Sequence, residues 1–180
     1  MHVSLDGFVA GPNGEMNWIT LPDGLFDYVG QMTEKADAAM YGRKTFEMMD
    51  GYWPAAGDQP DASKHDKEHS AWYNKVTKYV VSNSMQGKDT DDKKFINGNL
   101  KEKVNKIKQQ GGSDIMIFGS PSAIHSLMEQ DLVDEFYLCL NPVVLGEGIP
   151  MFPALKEKKD FKFVSAKQFG QVIVLHYAKP

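Results

Sequence analysis

The segment Ile115 to Leu127, I-M-I-F-G-S-P-S-A-I-H-S-L, most restricts what this chain can become, because an apolar run enters a tight Gly-Ser-Pro turn and leaves it as a helix. The four apolar residues Ile115 to Phe118 predict a strand covered on both faces. Gly119 lets a ligand come close to the backbone, Ser120 is placed to cap the helix, and Pro121 suits its first turn. Such a start presents unpaired N–H groups and the positive end of a helix dipole, a setting for phosphate or pyrophosphate. Many purely structural helices also begin with Ser-Pro, so the meaning of this one depends on the rest of the chain.

The strand-turn-helix pattern recurs. Ala36 to Tyr41 predicts an apolar strand that passes through Gly42 into a helix beginning at Arg43 and reaching at least Met49, after a first helix over Leu25 to Lys35. Gly51 to Ser63, rich in Gly, Pro and Asp, predicts a loop, and Lys64 to Val76 a helix. Lys78 to Val81 predicts a strand ending in Ser82-Asn83-Ser84, residues 86–92 an exposed connection, and Leu100 to Gln109 an amphipathic helix ended by Gly111-Gly112. Near the start, Val3 to Ala10 reads as a strand interrupted at Asp6-Gly7, with a turn over Gly11 to Gly14. A strand beginning at residue 1 is short, which fits either an internal start or the loss of a few apolar residues ahead of it. Glu135 to Leu145 predicts a long strand, Gly146 to Pro150 a turn, and Phe161 to Lys167 with Val172 to Tyr177 an antiparallel pair about Gly170. Helices alternating with strands, then hairpin-like strands, describe an α/β fold whose sheet is mostly parallel with an antiparallel C-terminal edge.

At 180 residues and 42% apolar content the chain can build one sizeable core, and no linker divides it, so one domain over residues 1–180 is expected. A net charge of −4 gives no general attraction for nucleic acid or anionic membrane. The lone Cys139 excludes an internal disulfide and predicts a buried thiol in a reducing compartment. With no secretory signal and no long apolar run, a cytoplasmic location is expected. His65 and His69 are four apart, but the intervening Asp66-Lys67-Glu68 predicts a solvated helix face and no third metal ligand is evident. The lysines of 101–108 read as an ordinary exposed face, and His125 and His176 as core or surface residues.

In parallel sheets ligands bind beyond the carboxyl ends of the strands. Three such ends agree in chemistry: Gly42-Arg43-Lys44-Thr45 offers a glycine, two cations and a hydroxyl at a helix start, Ser82-Asn83-Ser84 offers small polar groups, and Gly119-Ser120-Pro121-Ser122 offers helix N–H groups. Together they suit a phosphorylated dinucleotide.

The order of these motifs resembles the dihydrofolate reductase superfamily, most closely the group related to the C-terminal reductase domain of the bifunctional riboflavin-biosynthesis enzyme. The resemblance rests on Val3-Ser4-Leu5-Asp6-Gly7-Phe8-Val9-Ala10 with Gly14 and Trp18, Tyr41-Gly42-Arg43-Lys44-Thr45-Phe46, Val80-Val81-Ser82 and Ile117-Phe118-Gly119-Ser120-Pro121. Val133-Asp134-Glu135 and Asn141 to Gly148 extend it, so that it covers residues 3–152. It implies a three-layer α/β/α fold and an NADPH-dependent reductase, often a homodimer, acting on a small planar heterocycle. The implied type is 5-amino-6-(5-phosphoribosylamino)uracil reductase or dihydrofolate reductase; a non-catalytic NADP-binding or sensor domain of the same fold is the alternative.

Carried over by position, the resemblance puts the 2′-phosphate and pyrophosphate near Gly42, Arg43, Lys44 and Thr45, the adenosine by Ser82 and Asn83, and the pyrophosphate also at Gly119, Ser120, Pro121 and Ser122. Val9, Ala10 and Trp18 would lie by the nicotinamide, and Asn17, Tyr52, Trp53 and Phe118 by the substrate. Hydride transfer also needs a proton, so a carboxylate is sought nearby. Asp6, after the first strand, is the preferred candidate. Counting from Trp18 gives Asp23 as the equivalent of the reductase acid, whereas aligning on Leu21-Pro22 gives Gly24, and Asp23-Gly24 also reads as a helix-starting turn. Riboflavin-pathway relatives carry Glu-Gly-Gly-Pro where this chain has Phe118-Gly119-Ser120-Pro121, and Asp-Asp-Pro and an arginine where it has Met48 to Pro54. An aromatic in place of the carboxylate, with Tyr52 and Trp53 nearby, points to a flat, less charged substrate.

Overall fold

The structure, a computed structural model, describes residues 1–85, 89–152 and 154–180. Its backbone contacts group into two units, residues 26–123 and residues 1–25 with 124–180.

In the first of these, four strands form an all-parallel sheet in the order β5-β4-β3-β6: β3 (Ala36–Gly42), β4 (Thr77–Val81), β5 (Lys93–Ile96) and β6 (Asp114–Ile117). Helix α1 (Leu25–Thr33) precedes β3, α2 (Arg43–Ala56) and α3 (Lys64–Lys75) lie between β3 and β4, and α4 (Leu100–Lys108) links β5 to β6. α3 starts in a reciprocal capping box, in which the Asp66 N–H donates to the Ser63 hydroxyl (3.1 Å) and the Ser63 N–H to the Asp66 carboxylate (3.0 Å). Asn99 caps α4 by accepting from the Glu102 N–H. Ala39, Tyr41, Phe46, Tyr73, Val76 and Val80 make the core, with Trp53, Trp72, Phe95 and Phe118 packed against it. Burying such side chains contributes roughly 1.5–3 kcal/mol each.

The loop expected from Gly51 begins six residues later, because α2 continues through Gly51 and Pro54 to Ala56. Packing overrides the local breakers: Ala56 is buried, and a Cβ on the following Gly57 would stand 3.0 Å from that of Ser70 on α3. β5 has no counterpart in the sequence reading, which ran from the exposed connection straight to α4; the first three residues of that connection, 86–88, lie outside the described residues. β6 is half-buried rather than fully covered, being the last strand of its sheet.

In the second unit, β1 (His2–Val3) runs parallel to β7 (Glu135–Leu140), which pairs antiparallel with β10 (Val172–Ala178), and β10 with β9 (Lys162–Phe169) about Gly170. β2 (Phe8–Ala10) and β8 (Ile149–Pro150) form a separate small ladder. β7 stops at Leu140 instead of reaching Leu145, since Pro142 has no N–H to extend the ladder. The buried Asn141 takes over there: its amide donates to the Cys139 carbonyl (2.8 Å) and accepts from the Thr20 N–H (3.0 Å). Cys139 is buried as expected, and burial pushes its thiol pKa up. Helix α5 (Pro121–Glu129) begins in residues 26–123 and continues into this unit, where Ile124, Leu127 and Met128 are buried.

The all-parallel sheet of residues 26–123 and the antiparallel C-terminal pair of the other unit are those the sequence predicts, and among the described residues no helix is long and apolar enough to cross a membrane.

Lys78 is the polar exception in the core of residues 26–123. Only 2% exposed, it points from β4 to the Tyr73 carbonyl (2.9 Å) and the Asp92 carboxylate (3.0 Å). Hydrogen bonds from Lys78 and Thr90 bring the Asp92 pKa down to about 2. A depressed folded-state pKa means that the ionised pair stabilises above the unfolded value near 3.8 and that this contribution is lost as pH falls toward 2. Asp92→Asn is expected to lower unfolding free energy by about 1–2 kcal/mol at neutral pH, discounted because Asp92 is half-exposed, and to flatten stability across that acid window. Urea denaturation of both proteins from pH 7 to 2 checks this; an unchanged acid limb in the variant would refute it.

Candidate functional site

All four strands of the β5-β4-β3-β6 sheet point the same way, so the segments after β3, β4 and β6 emerge at one edge. After β3, Gly42 leads without a break into α2, whose first turn holds Arg43, Lys44 and Thr45 and receives no side-chain cap. After β6, Phe118 and Gly119 lead into Ser120 and α5. Gly119 and Ser120 both have positive φ, 60° and 61°. For Ser120 that is a strained conformation, of the kind that functional sites retain.

The strain has a visible cause. Ser120, 2% exposed, turns its hydroxyl onto β3 and accepts a hydrogen bond from the Gly42 N–H at 3.0 Å. The sequence reading expected this hydroxyl to cap α5; the bond it accepts joins the two strand ends. The join brings the helix starts together. A Cβ on Gly42 would stand 3.4 Å from the Ala123 Cβ and 3.6 Å from the Ser122 hydroxyl, and one on Gly119 would stand 3.6 Å from the Thr45 methyl. Two helix N-termini therefore converge with glycine at the closest approach, and their dipoles add positive potential at one place. Arg43 pairs with Glu47 at 3.2 Å on the surface, and Lys44 is exposed. Beyond β4, the Ser82 hydroxyl accepts from the Met85 N–H (2.9 Å), and the Asn83 side-chain oxygen Oδ1 accepts from the Gly98 N–H (3.5 Å), tying the ends of β4 and β5. The eleven residues of the three motifs thus share one sheet edge.

The remaining candidates divide differently. Val9 and Ala10 are buried in β2, Trp18 is half-buried with its indole N–H on the Glu15 carbonyl (3.1 Å), and Asn17 and Asp23 are exposed. Asp6, expected as the proton-donating carboxylate, is a turn clamp. It accepts from the Ser4 hydroxyl (2.6 Å) and from the N–H groups of Leu145 (3.1 Å) and Gly146 (2.7 Å). These bonds, the Ser4 hydroxyl first, lower its pKa to about 2, so at neutral pH it is an acceptor with no proton to give.

Trp53 and Phe118, expected beside a substrate, have their rings in an aromatic cluster on α3. Trp53 lies 4.1 Å from the His69 ring, and Phe118 stands edge-on to His69 (5.3 Å) and Trp72 (5.6 Å). Tyr52 remains 55% exposed, its hydroxyl donating to Asp66. His69 is buried, not on a solvated face, and burial lowers its pKa to about 4; His65 stacks on Phe26 at 3.9 Å. The Asp-Lys-Glu run hid this, whereas the Trp53, His69, Trp72 spacing around two helices is the signal that marks a packed face. Among the described residues no group of three or more His, Cys, Asp or Glu could hold a metal.

The RibD C-terminal domain family model matches residues 1–175. The uncharacterized protein YyaP of Bacillus subtilis is 39% identical over 174 residues, covering 96% of this chain and 88% of its own. A putative riboflavin biosynthesis protein from a Shewanella species is similar in structure at TM-score 0.76 and 21% identity, over 100% of this chain and 96% of that one. A diaminohydroxyphosphoribosylaminopyrimidine deaminase/5-amino-6-(5-phosphoribosylamino)uracil reductase from Thermotoga maritima matches at TM-score 0.68 and 14% identity, over 99% of this chain and 55% of that one. These likenesses bear out the expected dihydrofolate reductase-like α/β class.

Ser120→Ala is expected to leave the buried Gly42 N–H unpaired and to keep the positive φ, costing about 1–3 kcal/mol of stability. Ser120→Gly loses the same bond but relieves the backbone, so it should cost less. Chemical denaturation of the two variants decides; a less stable glycine variant would remove the strain from the account.

Proposed function

The chain belongs to the RibD C-terminal domain family, and from that membership we propose that it is an oxidoreductase in which NADPH reduces a small planar heterocycle of the pyrimidine or pterin kind. The observation that carries the reading is the paired helix start, where Gly42 and Gly119 leave room that a Cβ would fill and the uncapped turn of α2 offers N–H donors. A pyrophosphate fits that chemistry. Gly42, Thr45, Gly119 and Ser122 would hold it, Arg43 and Lys44 would receive the 2′-phosphate, and Ser82 and Asn83 would border the adenosine. The bound cofactor supplies the hydride; the protein supplies orientation and exclusion of water. Val9, Ala10 and Trp18 are the nicotinamide-side candidates, and Asn17 and Tyr52 keep exposed side chains for a substrate. With Asp6 held ionised, the accompanying proton comes from another source, and Asp23 is the remaining carboxylate of the candidate pair.

Phe118 favours a second reading. Its ring stands where pathway relatives carry a carboxylate and is packed into the α3 cluster, which supports a non-catalytic NADP-binding or sensor domain. The readings part at NADPH oxidation. We also take the working form to be a homodimer, supported by the apolar Phe163, Val164 and Ile173 left exposed on β9 and β10; light scattering that returns only the monomer mass would reject it.

Fluorescence titration should show NADPH binding more tightly than NADH, and Arg43→Ala should weaken NADPH by about 1.5 kcal/mol, roughly tenfold, while leaving NADH nearly unaffected. Loss of the nicotinamide absorbance on adding dihydrofolate or the riboflavin-pathway pyrimidine would establish the reductase. Binding without oxidation across a wider heterocycle panel would favour the sensor, and no binding of either nucleotide would end both readings.

A further inference from the structure

Residues 93–108 hold six lysines against one acid, Glu102, a local excess of five positive charges in a chain whose total is −4. Three of them, Lys94, Lys103 and Lys106, line a cavity of about 340 Å³ whose apolar lining includes Tyr79, Ile96 and Ile107. The arrangement follows from local periodicity. Lys94 and Ile96 are two apart on β5 and share a face of the strand, while Lys103, Lys106 and Ile107 fall at i, i+3 and i+4 on one face of α4. The volume lies at the lower end of what small-molecule sites use.

These cations are poorly neutralised. Elsewhere in residues 26–123, Lys64, Lys78 and Lys93 each meet a carboxylate at 2.7–3.0 Å. At the cavity, the Lys103 ammonium donates to the Asn97 carbonyl (2.7 Å) and side-chain oxygen (3.1 Å), both neutral. Neither Lys94 nor Lys106 meets a carboxylate among the described residues. Asp89, the one acid in the lining, accepts from the Phe95 N–H at 3.0 Å and spends part of its charge on the backbone. Compact ammonium groups beside a phenol ring and two isoleucines recognise a ring that carries a concentrated charge, which a phosphate monoester has and a planar carboxylate has less of.

We propose that this cavity is a binding site for a small aromatic phosphate monoester, its ring against Tyr79 and Ile107 and its phosphate between Lys94 and Lys106. The site shares no residue with the paired helix starts and does not depend on the NADPH reading.

The test is calorimetric titration of the full chain with phenyl phosphate, and separately with inorganic phosphate, in the absence and presence of NADPH. Saturable binding of phenyl phosphate is expected, tighter than that of inorganic phosphate and falling with added salt. The double variant Lys94→Gln/Lys106→Gln should weaken it about tenfold, and Lys101→Gln, outside the lining, should not. Lys106 is exposed and Lys94 half-buried, and circular dichroism verifies that the variant is folded. Equal affinity for inorganic phosphate would reduce the site to a cationic surface and overturn the proposal. So would unchanged affinity in the double variant, displacement by NADPH, or the absence of saturable heat.

Discussion

The hydrogen bond from the Gly42 N–H to the Ser120 hydroxyl joins two strand ends whose helices would otherwise diverge freely from the sheet. Parallel pairing, with Met40 opposite Ile117, makes the ends of β3 and β6 neighbours but says nothing about the direction of the chain beyond them. Ser120 supplies that direction by accepting a left-handed backbone, at a cost of order 1–3 kcal/mol. What the strain achieves is the approach of two helix starts whose positive ends face the same place, an arrangement that is itself unfavourable until an anion arrives.

The core beneath that edge is rigid for a related reason. Lys78 is held by the Tyr73 carbonyl and Asp92, Tyr73 donates to Asp50, and Asp50 meets Lys93 at 2.8 Å, so a polar chain crosses from β4 and β5 to α2 and α3. Breaking such a chain exposes a buried charge, which is worse than never having had one. The buried Tyr41 hydroxyl, one residue before Gly42, is the only buried side-chain polar atom without a partner among the described residues, and burial raises its pKa. β4 and β5 are therefore tied to α2 and α3 by polar contacts as well as by apolar ones.

Much of this was legible in the residues. Gly42-Arg43 and Gly119-Ser120-Pro121 mark strand-to-helix transitions because glycine and proline act through backbone geometry, which is local. The pair about Gly170 was readable for the same reason. β5 was not: Lys93-Lys94-Phe95-Ile96 is half charged, and only its position beside β4 makes it a strand. The continuation of α2 past Pro54 and the burial of His69 depend on α2 packing against α3, which no single window contains. Ser120 and Asp6 share one feature. Each side chain reads in the sequence as local chemistry, a cap and a proton donor, while the structure gives it N–H partners 78 and 139 or 140 residues away.

The aromatic cluster also bears on the charge at the edge where α2 and α5 begin. Phe118 anchors the turn at Gly119 to His69 and Trp72, so the turn carries no acid of its own. His69, with its pKa lowered to about 4, is uncharged across the neutral range. The positive potential at the edge therefore comes from Arg43, Lys44 and the helix ends. Exposed cations are screened over roughly 8 Å at physiological salt, so that potential weakens as ionic strength rises. The ring at position 118 thus adds no negative charge to oppose the helix ends.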